Sequence, residues 1–338
     1  AGREIEGRGR LDFARGAGLS FEAAFQLLGL PYSFQGTYAG GVLSASGDYG
    51  ARLLATLGSG AIAASIRLAE LPVPIGQATC LASLDAEGRF ASPEDWSCSI
   101  ASLSLDPAGE GSAALPRISV SGDFRPRGGQ IWDLSIEDRH SSISGPATAE
   151  YALGAEPRGR LLGVLASKSS AERYDLDLSY QAGSLRGKVA FQASPLARLG
   201  SLPLAGSLDG GAEVDGPLDD PRLSFEARLR GAKYRDQPIS GSARGSYAAG
   251  SLSLAAAEAA YLGNELKLRS ATFSFVDAAS TLALSFAGKL RGQRLSFDLE
   301  ARGSSRAAGE RSLEDHARDY AASGLISALR LGEISSER

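Results

Sequence analysis

Methionine is absent from this chain, histidine and cysteine occur twice each, and aromatic residues make up only 7% of its 338 positions. So few cysteines and histidines, set far apart, supply neither a zinc cluster nor a disulfide framework. No run of 18 uninterrupted apolar residues occurs, so no transmembrane helix is expected, and the opening AGREIEGRGR lacks the apolar core of a signal peptide. A formal charge of −4, with no Lys/Arg run interleaved with aromatics, sets nucleic acid aside as a partner. The chain opens without Met, as expected of a piece of a longer protein whose anchor or export signal lies outside it.

Catalytic residue types occur only in ordinary settings. His140 lies in Glu137-Asp138-Arg139-His140-Ser141-Ser142, which holds every side chain of a nucleophile triad, yet charged and small residues of this kind are what a turn uses. His316 has only Asp315 and Asp319 nearby, which is not a metal-binding spacing. Asp215, Asp219 and Asp220 lack the alternating ligands and terminal Glu of a calcium loop. The glycines from Gly206 to Gly216 fit neither phosphate-binding fingerprint. No cofactor, no metal and no enzymatic activity are expected. Cys80 and Cys98 flank an expected turn at Asp85-Ala86-Glu87-Gly88, which sets them across a hairpin either as a disulfide or as two small apolar residues.

What the chain has in quantity is glycine, 42 residues, and an apolar share of 43% carried by Ala and Leu. The repeating unit is plainest from Leu204 to Leu229. A strand with a Gly-Gly break ends at Val214, the turn Gly216-Pro217-Leu218-Asp219-Asp220-Pro221 follows, and a second strand begins. In that second strand Leu223, Phe225, Ala227 and Leu229 fall on one side and Ser224, Glu226, Arg228 and Arg230 on the other.

The same alternation, punctuated by turn signals every 8–12 residues, predicts an all-β chain. Leu19 to Leu27, Ile62 to Leu68, Ile100 to Leu105, Ile118 to Phe124 and Ile131 to Ile136 read as strands, with Pro72 and Pro74 on an edge or in a connection. Later come a hairpin turning at Ala182-Gly183 and another at Ala248-Ala249-Gly250. The apolar positions Leu252, Leu254, Leu266, Leu268, Phe273, Phe275, Leu282, Leu284, Phe286, Leu295, Phe297 and Leu299 continue the face begun by Leu223, Phe225 and Leu229. From Gly303 the period changes. Ser312 followed by Leu313-Glu314-Asp315 predicts a capped amphipathic helix over 312–331, with Leu313, Ala317, Tyr320, Ala321, Ile326 and Leu329 sharing one side.

Two uses of the apolar faces compete. Two sheets pressed together give a closed sandwich, a structural or adhesive repeat protein. One long sheet curled into a groove leaves its apolar face open to an acyl chain, each buried CH₂ contributing about 0.8 kcal/mol. Charges placed inside, such as Phe273→Asp or Leu284→Arg, are expected to impair such a groove.

Val214-Asp215-Gly216-Pro217-Leu218-Asp219-Asp220-Pro221-Arg222-Leu223, preceded by Leu204-Ala205-Gly206-Ser207-Leu208, resembles the recurring cassette of the TamB family, in the AsmA-like group of bacterial envelope proteins. Ser246-Tyr247-Ala248-Ala249-Gly250-Ser251-Leu252-Ser253-Leu254 resembles that family's following hairpin, and Ala69-Glu70-Leu71-Pro72-Val73-Pro74 its proline-containing connections. The resemblance is clearer over 183–303 and weaker over 1–182. It implies a repeating β-groove over 1–303, a taco-like, mostly antiparallel sheet with an apolar interior; the linker and helical tail read over 304–338 do not resemble that family's usual partner-binding end. It further implies a periplasmic location, phospholipid acyl chains as guests passing between inner and outer membranes, support of outer-membrane protein assembly, and an Omp85-type outer-membrane partner engaged through the full-length protein. The fifteen apolar positions from Leu223 to Leu299 would then contact lipid collectively.

Overall fold

A computed structural model describes all residues except 1–6, 15–17, 28–29, 59, 76–77, 109–114, 153–156, 200–203, 218–219, 275–278, 291–292, 306–319 and 332–338. Among the described residues the protein is all-β and antiparallel, and the chain separates into two units, Ala1–Lys168 and Ser169–Arg338.

The first unit holds β1 (Gly7–Ala14), β2 (Gly18–Leu27), β3 (Leu30–Ala39), β4 (Val42–Gly47), β5 (Arg52–Leu57), β6 (Ile62–Ile75), β7 (Ala78–Ser92), β8 (Asp95–Ala108), β9 (Arg117–Arg125), β10 (Gly128–Glu137), β11 (Ser142–Ala152) and β12 (Arg158–Ala166). The second holds β13 (Arg173–Gln181), β14 (Ser184–Pro195), a single 3-10 turn (Leu196–Leu199), β15 (Leu204–Pro217), β16 (Arg222–Tyr234), β17 (Gln237–Ala248), β18 (Ser251–Tyr261), β19 (Asn264–Ser274), β20 (Ala279–Leu290), β21 (Gln293–Ser305) and β22 (Tyr320–Leu331). Within each unit every strand pairs with its neighbours in sequence, an uninterrupted meander.

Two-residue turns make this connectivity possible. Gly40-Gly41, Ala182-Gly183, Arg235-Asp236, Ala249-Gly250 and Leu262-Gly263 all have φ between 47° and 86° at both positions. That geometry matches the right-handed strand twist on either side of a hairpin. Only glycine holds it without a Cβ penalty, so Gly250→Val is expected to cost about 1–2 kcal/mol, read as a lower urea midpoint with an unchanged slope.

Glycines inside strands do something else. Phe21 lies opposite Gly36, Phe34 opposite Gly47, Phe124 opposite Gly129, Phe191 opposite Gly210 and Phe225 opposite Gly245. A Cβ on any of these glycines would come within 2.9 Å of the facing ring. The rings therefore lie down over bare backbone, which a glycine alone provides. Gly210 and Gly211, expected to break the strand, sit inside an unbroken β15, Gly210 as the seat of the Phe191 ring.

Three further expectations are corrected. Residues 85–88 form no turn but lie within β7, and the hairpin closes at Pro93-Glu94, where Ser92 Oγ accepts from the Glu94 and Asp95 amides (3.3 and 3.1 Å). Cys98 then pairs with Gly88 and Phe124, whereas Cys80 pairs with Val73 and Pro107. Eight residues of strand, about 27 Å, separate Cys80 from the residue facing Cys98, so both thiols are free. The expected C-terminal helix is not what forms over Tyr320–Leu331: this segment is a strand in register with β21, Leu299 opposite Ile326 and Ala301 opposite Gly324. An available sheet edge outweighs the helical preference of Ala and Leu here, since propensity is a small prior that pairing overrides. The N-terminal part of that expected helix, with His316, lies outside the described residues.

Pro72 and Pro74 do sit on an edge. β6 runs on through both, paired with Leu81 and Thr79 of β7, after its last partner on the β5 side at Arg67.

Candidate functional site

Because directly opposed residues share a face, the registers assemble the sequence-predicted apolar positions into rows. One row in the second unit runs Val214, Leu223, Tyr247, Leu252, Phe273. The next runs Ala212, Phe225, Gly245, Leu254, Ala271, Leu282, Ala301. The third is Gly210, Ala227, Ala243, Ala257, Leu268, Leu284, Leu299. Ala259, Leu266, Phe286 and Phe297 follow, the last two rings stacked at 5.1 Å, and Leu295 faces Gly288 near the strand ends. Leu229 joins through Leu208. Phe275 lies outside the described residues.

This face is incompletely covered. Leu223 and Leu266 are 36% and 38% exposed, and Phe225, Leu229, Leu252, Leu254, Leu268, Leu282, Leu284, Phe286, Leu295, Phe297 and Leu299 are all half-buried. Among the described residues of this unit only Leu196 and Ala232 are buried apolar side chains. The interior of a sandwich is close-packed, with its inward residues removed from water, and this face is not. In the first unit a corresponding row, Leu53, Ile66, Ala86, Ile100, Gly122, Ile131, Ala147, was missed at the sequence level. It combines exposed Ile66 with buried Ala86, Ile131 and Ala147.

The opposite face is wet and ionic. Arg186 pairs with Asp215 (2.7 Å), Lys188 with Glu213 (2.6 Å) and Arg244 with Glu226 (3.4 Å), each between adjacent strands and each exposed. The Glu213 carboxylate holds the Lys188 ammonium above its usual range. Such pairs are screened by the surrounding water and contribute little to stability. A shallow cleft of about 700 Å³ on this side is lined by Asp209, Glu226 and Glu258 and by Arg228, Arg244 and Lys267, balanced in sign and so selective for neither cation nor anion.

Register shifts recur along the strands. Among them, Ala69-Glu70 in β6 and Gln192-Ala193 in β14 each set two residues against one, Ala255 in β18 and Arg269 in β19 are each unmatched, and a further shift in β10 falls at Trp132, half in solvent. Bulges bend a strand and sharpen its twist. The bulge at Ala193, where φ is 53°, is held by its amide donating to Asp209 Oδ1 (2.8 Å). Asp209→Ala is expected to cost about 1 kcal/mol through that bond and to quicken hydrogen exchange of the Ala193 amide.

The His140 segment builds a turn. Asp138 Oδ1 accepts from the backbone amides of His140 and Ser141 (2.8 and 2.9 Å), and His140 Nε2 accepts from Arg139 Nε (2.8 Å). An imidazole nitrogen occupied by a guanidinium donor is not placed to take a proton from a serine. Among the described residues no group of three or more His, Cys, Asp or Glu is arranged to hold a metal ion, and no helix is long and apolar enough to cross a membrane.

A polar cluster that sequence reading missed lies at one end of the β13–β14 hairpin. Glu172, Tyr174, Ser194 and Arg198 converge there, Glu172 being 1% exposed. Its members are up to 26 residues apart, with no spacing that a one-dimensional pattern would catch. No family model, no characterised protein and no solved structure matches the chain.

Proposed function

We propose that this protein is a passive hydrophobic conduit of the TamB-like kind, without enzymatic activity, working in the periplasm between inner and outer membranes. Phospholipid acyl chains are its guests, and an Omp85-type partner is reached through the full-length protein. The observation that carries the reading is the row-by-row apolar face of the second unit, continuous across neighbouring strands and left half-exposed. A face of this extent left bare is an aggregation liability unless something covers it, and an acyl chain lying across the rows gains about 0.8 kcal/mol per buried CH₂. Recurrent bulges supply the bending by which a sheet curls around such a guest. The role of the rows is collective, so truncating a single leucine is expected to leave transfer nearly intact.

Native mass spectrometry of the purified protein, with extraction and identification of bound lipid, tests the reading. Co-purifying phospholipid is the expected result. A monodisperse, lipid-free protein that also takes up no phospholipid from vesicles would move the function to the ionic face, as for a structural or adhesive repeat protein.

A further inference from the structure

The 3-10 turn at Leu196–Leu199 crosses to the apolar side of the second unit. Tyr174 pairs in register with Phe191 and shares the face of Leu176 and Leu178, so it marks that side. Arg198, on the turn, reaches back to it: the guanidinium lies 5.8 Å from the Tyr174 ring centroid, and Nη1 donates to the Tyr174 hydroxyl and to Glu172 Oε1 and lies 3.3 Å from Ser194 Oγ. The Tyr174 hydroxyl donates to Glu172 Oε1 (2.9 Å) and sits 2.7 Å from Ser194 Oγ. Leu196 is carried down with the turn to 1% exposure, packed toward β15. Elsewhere the rows of this unit are half-open, so here the chain covers its own apolar face.

The cluster is strong on one side and incomplete on the other. Glu172 Oε1 gathers the donors, whereas Oε2, equally buried, has none. An acceptor in that state is what opening would return to water, and the charge that Glu172 Oε1 brings to the closure is met by the Arg198 guanidinium. The same burial leaves no room beside Oε2 for a ligand.

We propose that Leu196–Leu199 is a strap closed over one end of the apolar face and latched by the Glu172–Arg198 ion pair, and that its release lengthens the face available to an acyl chain. The guest in this statement rests on the conduit reading; the latch does not.

Glu172→Gln keeps the side chain's shape and removes the charge that Arg198 pairs with. Hydrogen exchange followed by mass spectrometry is expected to show amides of 194–199 exchanging at least tenfold faster in the variant, with β16 to β19 unchanged. A fluorescent long-chain fatty acid is expected to bind severalfold more tightly. Unchanged exchange at 194–199 overturns the latch, as does acceleration spread equally over β16 to β19, which would mean general destabilisation. Local acceleration with no probe binding in either protein leaves the strap standing and removes the conduit reading. Local acceleration with equal binding in both removes the claim that opening lengthens the face. Arg198→Gln repeats the test from the other partner.

Discussion

Leu284→Asp is expected to lower phospholipid binding at least tenfold while leaving the fold nearly as stable as the parent. Leu284 stands between Leu268 and Leu299 in its row and midway along β20, away from the strand ends where a polar group reaches water. An acyl chain laid across it would seal the carboxylate into hydrocarbon with no partner, and an unpaired polar or charged group in such a setting costs several kcal/mol, where about 1.4 kcal/mol already makes a factor of ten. Arginine at the same place is expected to do less, because its long stem lets the charge escape to the rim. The unliganded fold is spared because Leu284 is only half-buried. This asymmetry is what makes the experiment decisive: were the face the interior of a closed sandwich, the same substitution would bury a charge in a packed core and unfold the protein. Urea denaturation beside a lipid-binding titration separates the two outcomes.

Gly210→Val is expected to cost about 3 kcal/mol or more of stability. The Cβ it introduces would stand 2.1 Å from the Glu226 carbonyl oxygen, with Ala227 Cα and the Phe191 ring each at 2.9 Å. Backbone cannot yield as a flexible side chain does, so the β15–β16 ladder must open or the Phe191 ring must be expelled from its seat. A urea midpoint, together with near-ultraviolet circular dichroism for the rings, checks both consequences. A change below about 1 kcal/mol would mean the ladder yields at this point and that ring and glycine do not hold each other.

Much of this architecture was readable because strand alternation is a short-range pattern. The period-two apolar series from Leu223 to Leu299 located the face, and Ala182-Gly183 and Ala248-Ala249-Gly250 announced hairpin turns by composition alone, the second of which the structure narrows to Ala249-Gly250. What escaped depended on partners distant in sequence. Gly210-Gly211 read as a break because glycine marks both turns and ring seats, and only the opposing strand decides which. Tyr320–Leu331 read as helix because Ala, Ser and Leu suit either state, and the edge of β21 settled it. A turn assigned seven residues too early, at Asp85 to Gly88 in place of Pro93-Glu94, made two cysteines look like a pair. The Glu172–Arg198 contact spans 26 residues and has no periodic signature at all.

The sequential meander bears on how such a protein comes to be made and how it varies. Because each strand pairs only with those just before and just after it in its unit, no pairing must wait for a distant part of the chain, and loop-closure entropy stays small at every step. Folding can start at any hairpin and zip outward, as in solenoids, and a chain emerging end first can order itself as it appears. The smallest removable module is then a pair of strands: excising one hairpin leaves later strands running in their original directions with their apolar sides in phase. A lone strand's loss would reverse every strand that follows. Length in a protein of this design is thus free to change in steps of two strands, with the chemistry of the face untouched.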